Sequence, residues 1–82
     1  MDRIDRILRF PEVKSASGLK RSSIYNRIKE GLFPKPITLG PRMVGWRESE
    51  IAAVNNAWVR GASVDEIRTL VEKLEASRQA VA

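Results

Sequence analysis

Residues 20–35, KRSSIYNRIKEGLFPK, decide how this chain is read. Ile24 and Ile28 recur at helical spacing with Tyr25 beside them. Ser22 stands before them as a candidate N-cap, and Gly31 follows Glu30 as a stop. With Ile24 and Ile28 turned inward on a helical wheel, Ser23, Asn26, Arg27 and Glu30 fall on the other face, and Lys29 lies at its margin. Upstream, Pro11 and Glu12 suit a first helical turn, Val13 and Ala16 give an inward edge, and Gly18 ends the segment, so a short helix is expected over residues 11–17. Two short helices around a tight turn have helix-turn-helix spacing.

Outward from this pair the pattern changes. RIDRILRF, residues 3–10, fits a short strand or an irregular arm. In PKPITLGPRMVGWR, residues 34–47, prolines and glycines bracket two β-prone runs, 37–39 and 43–46, with Gly40-Pro41-Arg42 between them, which reads as a β-hairpin. Glu48 and Glu50 then open a helix carrying Ile51, Val54 and Trp58 as far as Gly61. Ser63 and Glu66 form a capping box, followed by Ile67, Leu70, Val71 and Leu74 on one face of a last amphipathic helix. That face is expected against the domain core or against a second protomer. The expected fold is mainly α with a small β-hairpin, and Trp46 and Trp58 are expected to be core anchors.

The 82 residues suffice for one small core. No stretch approaches the roughly 18 consecutive apolar residues of a membrane span. The acid-containing N-terminus lacks a signal-peptide pattern, so a cytoplasmic protein with no membrane association is expected. The absence of Cys and His removes disulfides and the usual zinc ligands, so neither a metal nor a cofactor is expected. It also removes the common nucleophile and base pairs. Glu12, Glu48, Glu50, Asp65 and Glu66 are accounted for as first-turn acids, and Glu72 and Glu75 as the polar face of the last helix; an enzyme is not expected.

The charge is unevenly divided. Residues 1–47 hold eleven Lys+Arg against four Asp+Glu, and residues 48–82 hold four against six, so the anion-facing half is N-terminal. Ser23, Asn26 and Arg27 are candidate base contacts, because Asn and Arg pair bidentately with adenine and guanine edges in the major groove. Lys20, Arg21, Ser22, Tyr25 and Lys29 are candidate phosphate contacts, helped by the backbone N–H groups at the helix N-terminus. Lys35 and Arg42, at the base and tip of the hairpin, extend the basic surface. RNA binding is the competing reading for a basic chain, but five aromatics and no GXXG or RNP-like run leave few platforms for unpaired bases. A protein-interaction adaptor built on the last helix is a third reading. Competing duplex DNA against single-stranded RNA separates the first two.

The segments Glu12-Val13, Gly18 to Tyr25, Phe33 to Pro36, Leu39 to Arg42 and Gly45 to Ile51 together resemble the AlpA family of phage and mobile-element regulators, relatives of MerR-like winged helices and excisionases. The similarity runs from about residue 8 to residue 54. It implies a winged helix-turn-helix over residues 1–62, with 22–30 as recognition helix and 34–47 as wing, followed by a C-terminal helix over 63–82. It further implies sequence-specific binding of double-stranded DNA at a promoter or attachment site, as a transcriptional regulator or a recombination directionality factor. Pro41 in the turn and the continuation beyond residue 62 depart from the family pattern. A domain of this size is expected to act by occupying DNA, changing its shape, or touching integrase, RNA polymerase or another copy of itself.

Overall fold

The computed structural model describes residues 4–80. Its elements in order are β1 (Ile7–Leu8), α1 (Phe10–Ser17), α2 (Arg21–Lys29), β2 (Ile37–Gly40), β3 (Met43–Arg47), α3 (Glu48–Val59), α4 (Val64–Ser77) and a terminal 3-10 turn (Arg78–Ala80). The molecule is mainly helical with a small antiparallel sheet. No helix among the described residues is long and apolar enough to cross a membrane.

Local chemistry accounts for most boundaries. Pro11 sits in the first turn of α1, where its missing N–H costs nothing, and Gly18 ends the helix in the left-handed region at φ 72°. The helix-to-helix turn is short, and the Leu19 N–H bonds the Ser17 hydroxyl across it (3.2 Å). At the far end of α2 the Gly31 N–H reaches Ile28 O (3.1 Å) and the Leu32 N–H reaches Arg27 O (2.8 Å). This is the paired-bond stop that needs a left-handed residue, and Gly31 supplies it at φ 77°. The Ser63 hydroxyl accepts from the Glu66 N–H (3.1 Å) while the Glu66 carboxylate accepts from the Ser63 N–H (2.7 Å), so the capping box of α4 forms as its spacing requires.

Ser22 does not cap α2. The helix begins one residue before it, with Lys20 at the N-cap and no side-chain capping bond. The cause is tertiary: Leu19 packs against the core immediately after the Gly18 turn, and the Lys20 carbonyl already accepts from the Ile24 N–H (3.0 Å).

The arm before α1 pairs with the hairpin. The sheet order is β1-β3-β2, with Leu8 opposite Trp46 and Ile37 opposite Gly45. Pro41 presets φ at the first turn position of the hairpin, and Arg42 takes a left-handed φ of 58° at the second, the requirement of a type II turn.

Two apolar clusters fill the interior. Leu8, Val13, Ile24, Phe33, Trp46 and Ile51 join the first two helices to the sheet and α3. Leu32, Val54, Ala57, Ile67 and Val71 join α3 to α4, with Leu70 and Leu74 partly buried at the edge. Trp46 is fully buried, and its indole N–H donates to Pro34 O (2.9 Å). Trp58 is only half-buried at the margin of the second cluster, because Ala57 takes the inward position on α3. Glu50 is more than a first-turn acid: it is buried, and Arg78 grips both its oxygens (2.8 and 2.6 Å). Glu75 also has a partner, accepting from the Lys35 N–H (2.8 Å).

Candidate nucleic-acid interface

Helix α2 buries Ile24 and half-buries Ile28 against the first cluster, which turns the line Ser22, Asn26 and Lys29 to solvent. None of these three side chains makes a hydrogen bond to another described residue, so their donors and acceptors are open to a ligand. Ser23 and Arg27 are half-buried at the margin of this face. The exposed face is therefore rotated toward Ser22 and Lys29 relative to the helical-wheel expectation, with Ser23 and Arg27 turned partly toward the core that Ile24 and Ile28 enter.

Aromatic rings hold two of the arginines. The Arg21 guanidinium lies 4.5 Å above the Phe10 ring and 6.0 Å from Tyr25, and Phe10 and Tyr25 stack with centroids 5.7 Å apart. On the other flank, the Arg27 guanidinium lies 4.7 Å over the Trp58 ring. Such stacking restricts long side chains before any partner arrives. Lys20 is exposed at the N-cap, beside first-turn N–H groups that no side chain caps, an arrangement that favours an anion at the helix N-terminus. Phe10 and Trp58 are the supporting residues that sequence reasoning did not identify. Each is far along the chain from the arginine it holds, and no local spacing marks such a pair.

The hairpin cations stand apart from each other. Arg42 is exposed at the tip, whereas Lys35 lies before β2 in a segment tied to α4. Arg9, at the start of α1, anchors the hairpin by donating from Nε to Val44 O (2.9 Å).

Among the described residues, every salt bridge is made by Arg6, Arg47, Arg68 or Arg78, with Asp5, Glu12, Glu48, Glu50 and Asp65 as partners. Lys20, Arg21, Arg27, Lys29, Lys35 and Arg42 take part in none. The paired acids lie in the N-terminal arm, α1, α3 and α4, and no described acid forms a salt bridge with a cation of α2 or the hairpin.

The family model described as "Prophage CP4-57 regulatory protein (AlpA)" matches residues 6–60. A protein of Enterobacteria phage P4, called "Uncharacterized protein ORF88", is 44% identical over 57 residues, which cover 70% of this chain and 60% of that protein. The "DNA-binding transcriptional activator AlpA" of Escherichia coli (strain K12) is 40% identical over 52 residues, covering 56% of this chain and 74% of the relative. No solved structure matches the chain. The family match spans β1, α1, α2, the hairpin and α3, and on that extent the chain belongs to the AlpA family of prophage regulatory proteins.

Proposed function

We propose that this protein binds double-stranded DNA sequence-specifically as a regulator of a mobile genetic element, using a winged helix-turn-helix. In this reading α2 enters the major groove, its uncapped N-terminus meets a phosphate, and the β2–β3 hairpin acts as the wing. The observation that carries it is the exposed face of α2: Ser22, Asn26 and Lys29 have no side-chain partner among the described residues, and the flanking cations form no salt bridge with any described acid. A solvated surface helix ordinarily spaces acids among its bases, and α2 carries none before its C-cap Glu30. The E. coli relative's name, a DNA-binding transcriptional activator, supports the same reading.

Within it, Asn26 is the central base contact, with Ser23 and Arg27 reading from the margin. Lys20, Arg21, Ser22, Tyr25 and Lys29 meet phosphates, and Arg42, with Lys35, adds wing contacts. Promoter regulation and recombination directionality use the same contacts, and an excision assay with a cognate integrase separates the two roles.

Fluorescence anisotropy with duplexes from the neighbourhood of the gene, against random duplex, tests the assignment. Asn26→Ala should weaken cognate binding by about 1–3 kcal/mol and leave random-duplex binding nearly unchanged. Lys20→Ala or Arg42→Ala should weaken both equally and lower the slope of log affinity against log salt by about one unit each. Equal losses on cognate and random duplex for Asn26→Ala would reduce α2 to a phosphate-binding surface.

A further inference from the structure

The segment that carries the chain from α2 into the hairpin is gripped on both sides. From the core, Trp46 bonds Pro34 O (2.9 Å). From α4 and the terminal 3-10 turn, Glu75 accepts from the Lys35 N–H (2.8 Å) and Arg78 Nη2 donates to the Lys35 carbonyl (2.8 Å). Arg78 is itself fixed by its two bonds to Glu50, which is 1% exposed at the start of α3.

Lys35 is exposed, so water could satisfy both of its backbone groups at little cost. Two long side chains from a segment about forty residues away do so instead, and each gives up rotamer freedom in the process. Pro36 follows immediately and holds Lys35 extended, so the direction in which the chain enters β2 is set where Lys35 is held. The family match ends at residue 60, before α4 begins, so Glu75 and Arg78 lie outside the matched region while Lys35 and Glu50 lie within it.

We propose that Glu75 and Arg78 are positioning residues for DNA binding: the C-terminal segment clamps Lys35 and so orients Lys35 and the hairpin, with Arg42 at its tip, toward the phosphate backbone. The proposal rests on the DNA-binding reading above. It assigns α4 a part in the interface without any contact to DNA.

The test uses the full chain with Glu50→Leu and Arg78→Leu together, which removes the Arg78 half of the clamp without stranding a buried charge and leaves the Glu75 bond to Lys35. Hydrogen exchange is followed at Thr38 and Val44, and duplex affinity is measured across a salt series in wild-type and Arg42→Ala backgrounds. A variant that keeps its cooperative melt should show faster exchange in the hairpin, about tenfold weaker binding and a salt slope lower by about one unit. In the Arg42→Ala background most of that loss should vanish, because the two changes act through the same contact. Wild-type exchange and affinity in a folded variant would overturn the proposal, and so would a loss that simply adds to that of Arg42→Ala. Should the double variant fail to fold, Glu75→Ala leaves the buried pair intact and carries the same expectations in milder form. If the wild-type chain binds no duplex, the DNA-binding reading fails, while the exchange measurement still decides whether the clamp holds the hairpin.

Discussion

Asp5 accepts three hydrogen bonds: from the Ser49 N–H (3.0 Å), the Ser49 hydroxyl (2.6 Å) and Arg47 Nε (2.7 Å). Burial pushes its carboxyl up, but these bonds and the Arg47 charge outweigh that and hold its pKa below the ordinary carboxylate value. Because the folded pKa is depressed, the stabilisation is complete above the unfolded value near about 3.9 and is lost as the pH falls through the lower folded value. Asp5→Asn should therefore cost about 1–2 kcal/mol at neutral pH. In urea titrations the difference between the two proteins should shrink as the pH falls below the ordinary carboxylate range and Asp5 takes up its proton in the folded state as well; a difference that stays constant through that fall would mean the carboxylate charge is not what matters. Arg27 presents the opposite case at the same scale. Its charge has no acid partner among the described residues, and the Trp58 ring, not a salt bridge, limits where the guanidinium can go.

The three-stranded sheet depends on a close approach that only glycine permits. A Cβ placed on Gly45, at the centre of β3, would lie 2.6 Å from Ile7 Cγ2, 3.0 Å from Leu39 Cδ1 and 3.0 Å from the Leu8 carbonyl oxygen. Side chains from both neighbouring strands thus close over this position, and the Leu8 contact is backbone that cannot swing aside. Gly45→Ala should destabilise the protein by about 1–3 kcal/mol, the usual cost of overfilling a packed site. Thermal melting measures it, and Ile7→Ala in the same background should recover part of the loss by removing the nearest methyl group. Full stability in Gly45→Ala would show that β1 can shift away from β3 without penalty.

For the molecule as a whole, α4 completes an interior that α1 to α3 leave open. Ile67 is fully buried and Val71 nearly so, against Leu32, Val54 and Ala57. Ile67→Ala should cost about 2–5 kcal/mol in urea unfolding, whereas Val59→Ala, at a position 85% exposed, should stay within about 0.5 kcal/mol. A small effect at Ile67 would mean that α4 is only loosely attached.

Much of this architecture was legible in the sequence. Gly18, Gly31, Ser63 with Glu66, and the prolines around the hairpin act through residues one to five positions away, so their spacing alone located the helices and the turn. The charge division between the two halves likewise put the excess of cations in the half that holds α2 and the hairpin. Tertiary structure decided the rest: the pairing of β1 with β3, the start of α2 before Ser22, the half-exposed Trp58 under Arg27, and the buried Glu50 held by Arg78. Each of these joins distant parts of the chain or depends on how α2 seats on the core. Such contacts arise from shape and burial once the helices are packed, and they leave no period in the sequence to be read.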